Sequence, residues 1–490
     1  MLLALLFTAT AGLVDGGVED AVDAGPELHL AVPLPGPDVA PPPPDGPAVT
    51  ATPTLTPLQN PAPVAAAVDA GVETPSVLSL HGAAEADLGI FPTGFPENGF
   101  DVMTSLHPVI GFAVGDDFGI DFGPTFRFRL IDTPAFNRPS DVGGFLRGAD
   151  WDELSDYGQI LQSLRIAKDT GVFHLRLGPE RKKTLGLGHL LWRYNSQANP
   201  DYHPASGTAV LRAGPIRADF FASDILGARL FAGAVAWDIG GTFSSDSQVK
   251  DRYVLAFELA HDANLAARPF RPDASVAPFT LPAVTLLQLD ASAVLVRNAA
   301  LRWMVMGGVG TRNNVTADLG LVVGMTLDAN VKEIGFSTRL ELRKQAGGFR
   351  HGFFGPTYEL QRFVDIGFRG ASLGDAVLPD SGSGFAELRV GIGTRVSFDA
   401  AAEYFFWNRL DLDGGLSLAL LGDWFFLTAR TTILGLLQAP RFAFNAGLRW
   451  RLFPSFYVVG DGGTVFFPQV DGTLIRGVSF SAGVGVDFER

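Results

Sequence analysis

Cysteine is absent from the chain. This absence excludes disulfide bonds, thiolate metal sites and the lipid-modified cysteine of a lipoprotein N-terminus. It suits an oxidising compartment, although many soluble proteins also lack cysteine. An excess of positive charge is absent too, since the formal net charge is -15. We therefore expect no nucleic-acid partner, because nucleic-acid-binding proteins offer a basic face to phosphates.

Long hydrophobic runs are also missing, although the chain is apolar overall. Hydrophobic residues make up 47% of it and charged residues only 18%, against about 25% charged residues in typical soluble domains. The longest apolar region, Leu416 to Leu437, is interrupted by Asp423 and Arg430. No transmembrane helix is therefore expected. Strands that cross a membrane reconcile these facts, because they place a lipid-facing residue at every second position.

Apolar residues alternate with small or polar residues along the chain. The last stretch, GVSFSAGVGVDF from Gly477 to Phe488, shows this alternation most clearly. Side chains on a strand point to opposite faces in turn. One face carries Val478, Phe480, Ala482, Val484, Val486 and Phe488. The other carries Gly477, Ser479, Ser481, Gly483, Gly485 and Asp487. This length matches that of a tilted strand crossing the hydrocarbon layer.

This stretch resembles the C-terminal strand of bacterial outer-membrane β-barrel proteins. In that family the last residue is usually aromatic, whereas here Glu489 and Arg490 follow Phe488. The resemblance extends over Val77 to Arg490 and implies an all-β fold, a closed antiparallel transmembrane β-barrel. It also implies a Gram-negative outer membrane as the location, with membrane lipid and lipopolysaccharide as partners. A soluble secreted β protein remains the alternative, since a sandwich can also end on an amphipathic strand.

Two further segments repeat the design with charges on the polar face. In Phe118 to Asp132, one face carries Phe118, Ile120, Phe122, Phe126, Phe128 and Leu130, and the other carries Gly119, Asp121, Gly123, Thr125, Arg127 and Arg129. In Val331 to Lys344, Ile334, Phe336, Leu340 and Leu342 oppose Glu333, Ser337, Arg339, Glu341 and Arg343. Lipid on one side and water on the other explain charges that alternate with apolar residues.

Short and long connections alternate along the first half of the chain, as expected for a barrel with one rim of tight turns and one of longer loops. Predicted tight turns are Gly115–Asp117, Lys168–Gly171, Gly214–Pro215, Arg297–Asn298, Asp328–Asn330 and Asp411–Gly414. Predicted long connections are Thr133–Asp156 and Arg181–Gly207. The pattern predicts about 18 strands, with 16 or 20 as alternatives.

The N-terminal region divides into two further segments. Residues 1–11 are apolar and end in Ala9-Thr10-Ala11, the small-residue form of a signal-peptidase site, so we interpret them as a signal peptide. Residues 12–76 are rich in proline and alanine, and Val14 to Pro75 contains no aromatic residue. We expect a disordered periplasmic tether there. It is either a passive spacer or an arm in which residues 14–75 bind a periplasmic protein or the cell wall. Residues 77–490 form the predicted barrel.

Arginines in the first half of the barrel form a candidate lumen-lining basic cluster. Its members are Arg127, Arg129, Arg165, Arg176, Arg212 and Arg217. If their strands are neighbours, these guanidinium groups enter one sector of the lumen, where they attract anions and orient dipolar solutes. The alternative is that each arginine pairs with a lumen carboxylate such as Asp121, Asp219 or Glu341, which makes an ordinary hydrated wall.

The connection from Arg181 to Pro204 is a candidate constriction loop. It contains Arg181, Lys182, Lys183, His189, Arg193, Asp201 and His203, together with Trp192, Tyr194 and Tyr202. Its Leu-Gly-Leu-Gly-His run lacks the spacing of a phosphate-binding loop. By resemblance to porins, such a loop folds into the lumen and narrows it. An exposed surface loop fits the sequence equally well.

No catalytic residue, metal site or cofactor is predicted. The eight histidines are scattered and show no HExxH spacing. Asp201 with His203 imitates a catalytic pair only weakly. We predict a non-enzymatic, porin-like channel for passive passage of small polar or anionic solutes. The alternative is a structural anchor barrel of an envelope-spanning assembly in motility, secretion or adhesion, with the proline-rich arm as the partner-binding segment.

Overall fold

The computed structural model describes residues 78–92, 100–132, 145–147, 150–151, 153–197, 203–244, 246, 249–263, 283–312, 318–361, 378–421, 424–438, 440–468 and 474–489. The predicted signal peptide and tether lie outside the described residues, as does Asp201. No helix among the described residues is long and apolar enough to cross a membrane.

Twenty-one strands make up almost all of the regular structure in the described ranges. They are β1 (Leu78–Pro92), β2 (Phe100–Val114), β3 (Phe118–Phe122), β4 (Phe126–Asp132), β5 (Leu161–Ile166), β6 (Phe173–Gly178), β7 (Ser206–Ala213), β8 (Ile216–Ala222), β9 (Leu230–Asp238), β10 (Tyr253–Asp262), β11 (Val284–Arg297), β12 (Leu301–Arg312), β13 (Leu319–Val331), β14 (Ile334–Gly347), β15 (Leu378–Ile392), β16 (Val396–Phe405), β17 (Arg409–Leu420), β18 (Phe425–Leu434), β19 (Arg441–Phe453), β20 (Phe456–Pro468) and β21 (Leu474–Glu489). Three short helices accompany them: a 3-10 helix (Leu154–Ile160), α1 (Ile239–Phe243) and α2 (Tyr358–Gln361).

The strands close into a barrel. Except around β3 and β4, each strand pairs antiparallel with the next, and β21 returns to pair with β1, with Glu489 opposite His81. Strands β3 and β4 both pair with β2 and are separated only by Gly123–Thr125. They are one interrupted strand of the wall, so the barrel has 20 strands. The predicted closed antiparallel barrel is confirmed, at the higher of the two alternative strand numbers.

Strand alternation separates an apolar outer surface from a polar interior. On β21, Phe480 is 63% exposed and the adjacent Ser479 only 1%. On β14, Leu342 is 61% exposed, whereas Arg343 is 4% exposed and ion-paired inside the barrel. Apolar residues on the outside and charges on the inside invert the arrangement of a soluble protein. This pattern is typical of a β-barrel embedded in a lipid bilayer.

One rim carries both ends of the described barrel and mostly short turns, with residues 239–252 between β9 and β10 as an exception, and the other rim carries most of the longer connections. Gly115–Asp117 and Gly214–Pro215 lie on the first, which we call the turn rim. The predicted turns at Asp328–Asn330 and Asp411–Gly414 are wrong, because both segments lie inside strands β13 and β17. Aspartate and glycine favour turns, but in a barrel wall they also serve as small or charged lumen residues.

The wall is irregular beside β4. Strand β5 pairs with β3 only, and the Gly123 N–H bonds to the Ile160 carbonyl at 2.8 Å. Beyond this point the segment 145–147 takes the place of a neighbour strand: the Arg129 N–H donates to the Phe145 carbonyl at 2.8 Å. Residues 145–147 of the predicted long connection therefore form part of the wall.

Candidate pore

The connection between β6 and β7 folds into the barrel at residues 179–197; we call this segment the first inward loop. Its backbone doubles back as a hairpin, in which Lys183 and Tyr194 exchange hydrogen bonds of 3.0 and 2.8 Å. Gly186 and Gly188 supply the positive φ angles, +53° and +78°, that the tip of the hairpin requires. A Cβ on Gly186 would also collide with the Glu258 carboxylate of β10. The glycines therefore let the tip approach the opposite wall.

Residues 348–361, after β14, form a second inward loop that pairs with the first. The Phe354 N–H donates to the Leu190 carbonyl at 3.1 Å, and the Trp192 N–H donates to the Phe354 carbonyl at 3.2 Å. The two loops share an apolar core with the wall, in which small residues such as Ala232 and Ala234 leave room for aromatic rings. The loop members of that core are Leu185, Leu190, Leu191, Tyr194, Phe349, Phe353, Phe354 and Tyr358. No motif in the sequence predicts this second loop.

His189 fixes the tip of the first inward loop to two strands. Its Nδ1 lies 2.8 Å from Asp290 Oδ1 on β11, and its Nε2 lies 3.1 Å from Glu341 Oε1 on β14. The ring is completely buried. Burial alone lowers the pKa of His189, but the hydrogen bonds to Asp290 and Glu341 outweigh it and raise the pKa above its ordinary value.

Arg193 fixes the returning strand of the same hairpin. Its guanidinium contacts Asp399 on β16 and lies 2.8 Å from Asp413 Oδ1 on β17. Lys182 Nζ reaches Asp399 as well, at 2.8 Å. The Trp192 indole N–H donates to Glu387 on β15 at 3.3 Å. An acidic wall from β14 to β17 therefore holds the basic face of the loop.

The six arginines of the predicted basic cluster fall into two groups. Arg127 and Arg129 are buried: Arg127 pairs with Asp150 at 2.6 Å, and Arg129 pairs with Asp101 at 3.1 Å. Asp150 also contacts Arg147, and all three side chains are buried. These two arginines therefore fix the irregular part of the wall.

The other four arginines stand together near the turn rim. Arg165 on β5 lies directly opposite Arg176 on β6, and Arg212 on β7 lies directly opposite Arg217 on β8. Arg217 pairs with Asp219 at 2.9 Å, and Arg212 donates to the Gly171 carbonyl at 3.1 Å. Among the described residues, Arg165, Arg176 and Arg212 form no ion pair with a carboxylate. We call these four residues the arginine group.

The remaining residues of the predicted constriction loop have different environments. Arg181 and Lys182 are exposed. Burial lowers the pKa of Lys183 against the opposing effect of Glu180 and Asp219, and Arg176 and Arg217 of the arginine group lower it further. His203 is buried, with Nε2 at 3.4 Å from Asp150. The structure therefore brings Lys183 to the arginine group and sets His203 apart beside the irregular wall.

Two basic residues near the loop were not singled out from the sequence. Arg389 on β15 and Arg430 on β18 are partly exposed and contribute to the electrostatic environment of Lys182. Each is paired with a carboxylate of the acidic wall, Arg389 with Glu387 and Arg430 with Asp413. A period-2 reading of β15 and β18 would have placed both in the lumen. No group of three or more histidine or carboxylate side chains within the described residues could hold a metal ion.

Closure of the sheet, an apolar outer surface and a charged interior define the chain as a transmembrane β-barrel protein of the bacterial outer-membrane type. No family model matches the chain, and no curated protein matches it.

Three solved barrel structures from Pseudomonas aeruginosa match the chain path of this protein. One is OpdK, crystallised with vanillate, at 9% identity and a TM-score of 0.34, over 84% of this chain and 98% of that chain. Another is OccK8 (OprE), at 9% identity and a TM-score of 0.36, over 84% of this chain and 98% of that chain. A mutant of the ferric enterobactin receptor PfeA matches at 9% identity and a TM-score of 0.33, over 85% of this chain and 81% of that chain. Similarity at this level supports no conclusion about which solute this chain transports.

Proposed function

We propose that the barrel is a porin-like, non-enzymatic channel for passive diffusion of small polar or anionic solutes across the outer membrane. The arginine group is the observation that carries the proposal. Two pairs of guanidinium groups stand directly opposite each other near the turn rim. Like charges directly opposite on neighbouring strands destabilise a sheet. Their presence in the barrel interior is therefore explained better by attraction of anions than by stability.

The two inward loops narrow the passage and leave the arginine group on the solute's route. The acidic wall from β14 to β17 is neutralised by Arg193 and Lys182 of the loop and by Arg389 and Arg430 of the wall. The opposite wall, from β5 to β8, keeps three arginines without an ion pair in the described part of the chain. The asymmetry gives the lumen a positive side, which favours anions over cations.

The experiment is the reversal potential of single channels in planar bilayers under a KCl gradient. We expect the native protein to prefer chloride. A variant with Arg165→Gln, Arg176→Gln, Arg212→Gln and Arg217→Gln should lose that preference and keep its barrel, because the substitutions remove repulsion. Lys168→Gln on the β5–β6 turn removes one positive charge outside the lumen and should leave selectivity unchanged, whereas each single arginine substitution should reduce it. Folded protein without conductance steps would contradict the proposal.

A structural anchor barrel is the second candidate, and the filling of the lumen by two paired loops favours it. In this case the proline-rich arm, residues 14–75, binds a periplasmic protein or the cell wall, while the outer surface contacts lipid and lipopolysaccharide. Deletion of residues 14–75 should then remove a partner from pull-downs made with the folded, detergent-solubilised barrel. An unchanged set of partners would count against the anchor.

A further inference from the structure

We propose that His189 is the pH-sensitive latch of the first inward loop, so that the channel opens as the pH rises. The inference rests on the proposed channel function. In this proposal, the protonation state of His189 regulates whether solutes pass the first inward loop.

The hydrogen-bonding geometry requires a charged ring. Both ring nitrogens of His189 face carboxylate oxygens, Asp290 Oδ1 at 2.8 Å and Glu341 Oε1 at 3.1 Å. A carboxylate only accepts hydrogen bonds, whereas a neutral imidazole has a single N–H to donate. Both contacts are therefore satisfied only by the imidazolium. Loss of one proton leaves a buried nitrogen facing a buried carboxylate, and this costs about 1–3 kcal/mol or more.

The charges around the ring depend on that proton. Three carboxylates face it: Asp290 of β11, Glu341 of β14 and Glu258 of β10, which accepts the Leu187 N–H at 3.0 Å. The neighbouring cations are two guanidiniums of β14, Arg339 and Arg343, both bonded to Glu341. The second inward loop adds His351, whose ring packs edge-on to His189 at 5.7 Å.

His189 supplies the positive charge that compensates Asp290, which also accepts a hydrogen bond from the Gln288 amide. Burial, together with the Arg343 guanidinium, holds the pKa of His351 well below its ordinary value, so its ring is neutral and cannot replace that charge. Without the proton on His189, Asp290 keeps no cationic partner among the described residues, and a buried, uncompensated negative charge is strongly unfavourable.

The direction of the pH effect follows from the raised pKa of His189. The anchored loop binds the proton more tightly than the released loop. The latch is therefore complete below the ordinary histidine pKa of about 6.5 and is lost as the pH rises through the raised value. A single proton changes the ratio of released to anchored loop by at most about tenfold per pH unit.

Arg193, four positions further on, holds the same hairpin at every accessible pH, because a guanidinium does not lose its proton there. Release of His189 thus frees the tip and leaves the returning strand attached. Lys182 is another titrating anchor: 52% of its side chain is exposed, and partial burial together with the adjacent Arg193 guanidinium lowers its pKa to about 8. The test must separate Lys182 and Glu258 from His189.

The first measurement is single-channel conductance from about pH 6 to about pH 9, a range that brackets ordinary and raised histidine pKa values. We expect the open fraction of the native channel to rise with pH and that of His189→Gln to be high and flat. Lys182→Arg and Glu258→Gln should keep the rise. His261→Gln, on the outer face of β10, is the matched histidine control and should also keep it.

The second measurement does not require a conducting channel. Chymotrypsin, which cuts after large apolar residues, reaches the buried Leu190 and Leu191 at the tip only when the tip is released, so cleavage at these two residues is compared at both ends of the pH range and corrected with a reference peptide. We expect faster cleavage of the native loop at high pH and fast cleavage of His189→Gln at both values.

The two measurements separate the possible failures. A rise in cleavage without any conductance would retain the latch and overturn the channel. A native loop with constant conductance and constant cleavage would overturn the latch. A pH response that survives His189→Gln and disappears in Lys182→Arg or Glu258→Gln would assign it to another residue and overturn the proposal.

Discussion

Arg193 shows how a single side chain can hold an inward loop. Only 3% of the residue is exposed, and its guanidinium lies among Asp399, Asp413 and Glu387. Its φ of +52° is unusual for a residue with a side chain. Ion pairs within the barrel compensate the strain of that backbone. The planar, multiply donating guanidinium suits three acceptors on three strands better than a lysine would.

We predict that Arg193→Gln destabilises the protein and widens the passage. Breaking a buried ion pair costs about 3–5 kcal/mol, and the lower end applies here because Lys182, Arg389 and Arg430 still face the same carboxylates. Urea unfolding in lipid vesicles, followed by tryptophan fluorescence, measures the loss. Single-channel conductance should rise in the same variant.

Arg193→Lys serves as the matched control for charge. It should recover part of the stability, since it keeps the charge and loses the fork of donors. Equal stability of the native protein and Arg193→Gln would show that the acidic wall does not hold the loop.

At the scale of the strand, β21 places lipid-facing and lumen-facing residues in strict alternation. Val484 is 47% exposed on the outside. Ser481, on the other face, lies directly opposite Asp461 of β20. The same substitution at the two positions therefore meets lipid in one case and a carboxylate in the other.

We predict that Val484→Arg destabilises the barrel by up to about 2–4 kcal/mol, the cost of an arginine on the lipid face at the middle of the bilayer, which falls toward the rims. Ser481→Arg should cost much less, because its guanidinium reaches the lumen and Asp461. Urea unfolding of the two variants in the same vesicles gives the comparison. A larger loss for Ser481→Arg would reverse the assignment of faces and with it the membrane barrel.

Sequence alternation is sufficient to predict the barrel but not its contents. Phe126 and Arg127 point to opposite faces, as predicted, because lipid and lumen impose opposite chemistry on neighbouring positions. Asp150, the partner of Arg127, comes from a connection without any period. His189 and Glu341 are separated by 152 positions in the chain. Pairings over such distances depend on closure of the barrel, which no local pattern contains.

Turn prediction failed at Asp328–Asn330 and Asp411–Gly414 for a related reason. Asp411 and Asp413 suggest a turn by residue type. In the barrel they lie within β17, where Asp413 forms an ion pair with Arg193. Asp411 forms ion pairs with Arg409 and Arg350. A polar residue that is paired inside a lumen looks the same in the sequence as one that is solvated in a turn. The same ambiguity merged two groups of arginines into a single predicted cluster.

At the scale of the whole molecule, the barrel wall and its contents are separable. The ladder of strand pairs closes without any contribution from the first inward loop, since β6 and β7 pair directly from Phe173–Leu211 to Gly178–Ser206. The loop contributes ion pairs and apolar contacts to the interior only. A barrel that folds with an emptied lumen is therefore physically reasonable, and the chain allows a clean excision.

The excision removes Thr184–Arg193 and joins Lys183 to Tyr194 through two glycines. Lys183 and Tyr194 already exchange backbone hydrogen bonds, so a two-residue turn closes the shortened hairpin without strain. We predict a folded barrel with several-fold higher conductance, because the excision removes both His189 with its carboxylate contacts and Arg193 with its ion pairs. Two glycines inserted into the β13–β14 turn at Lys332–Glu333 are the control and should leave conductance unchanged. Unaltered conductance after the excision would mean that ions do not pass the first inward loop. The space that the loop leaves beside wall residues such as Ala232 and Ala234 would then lie outside the conducting path.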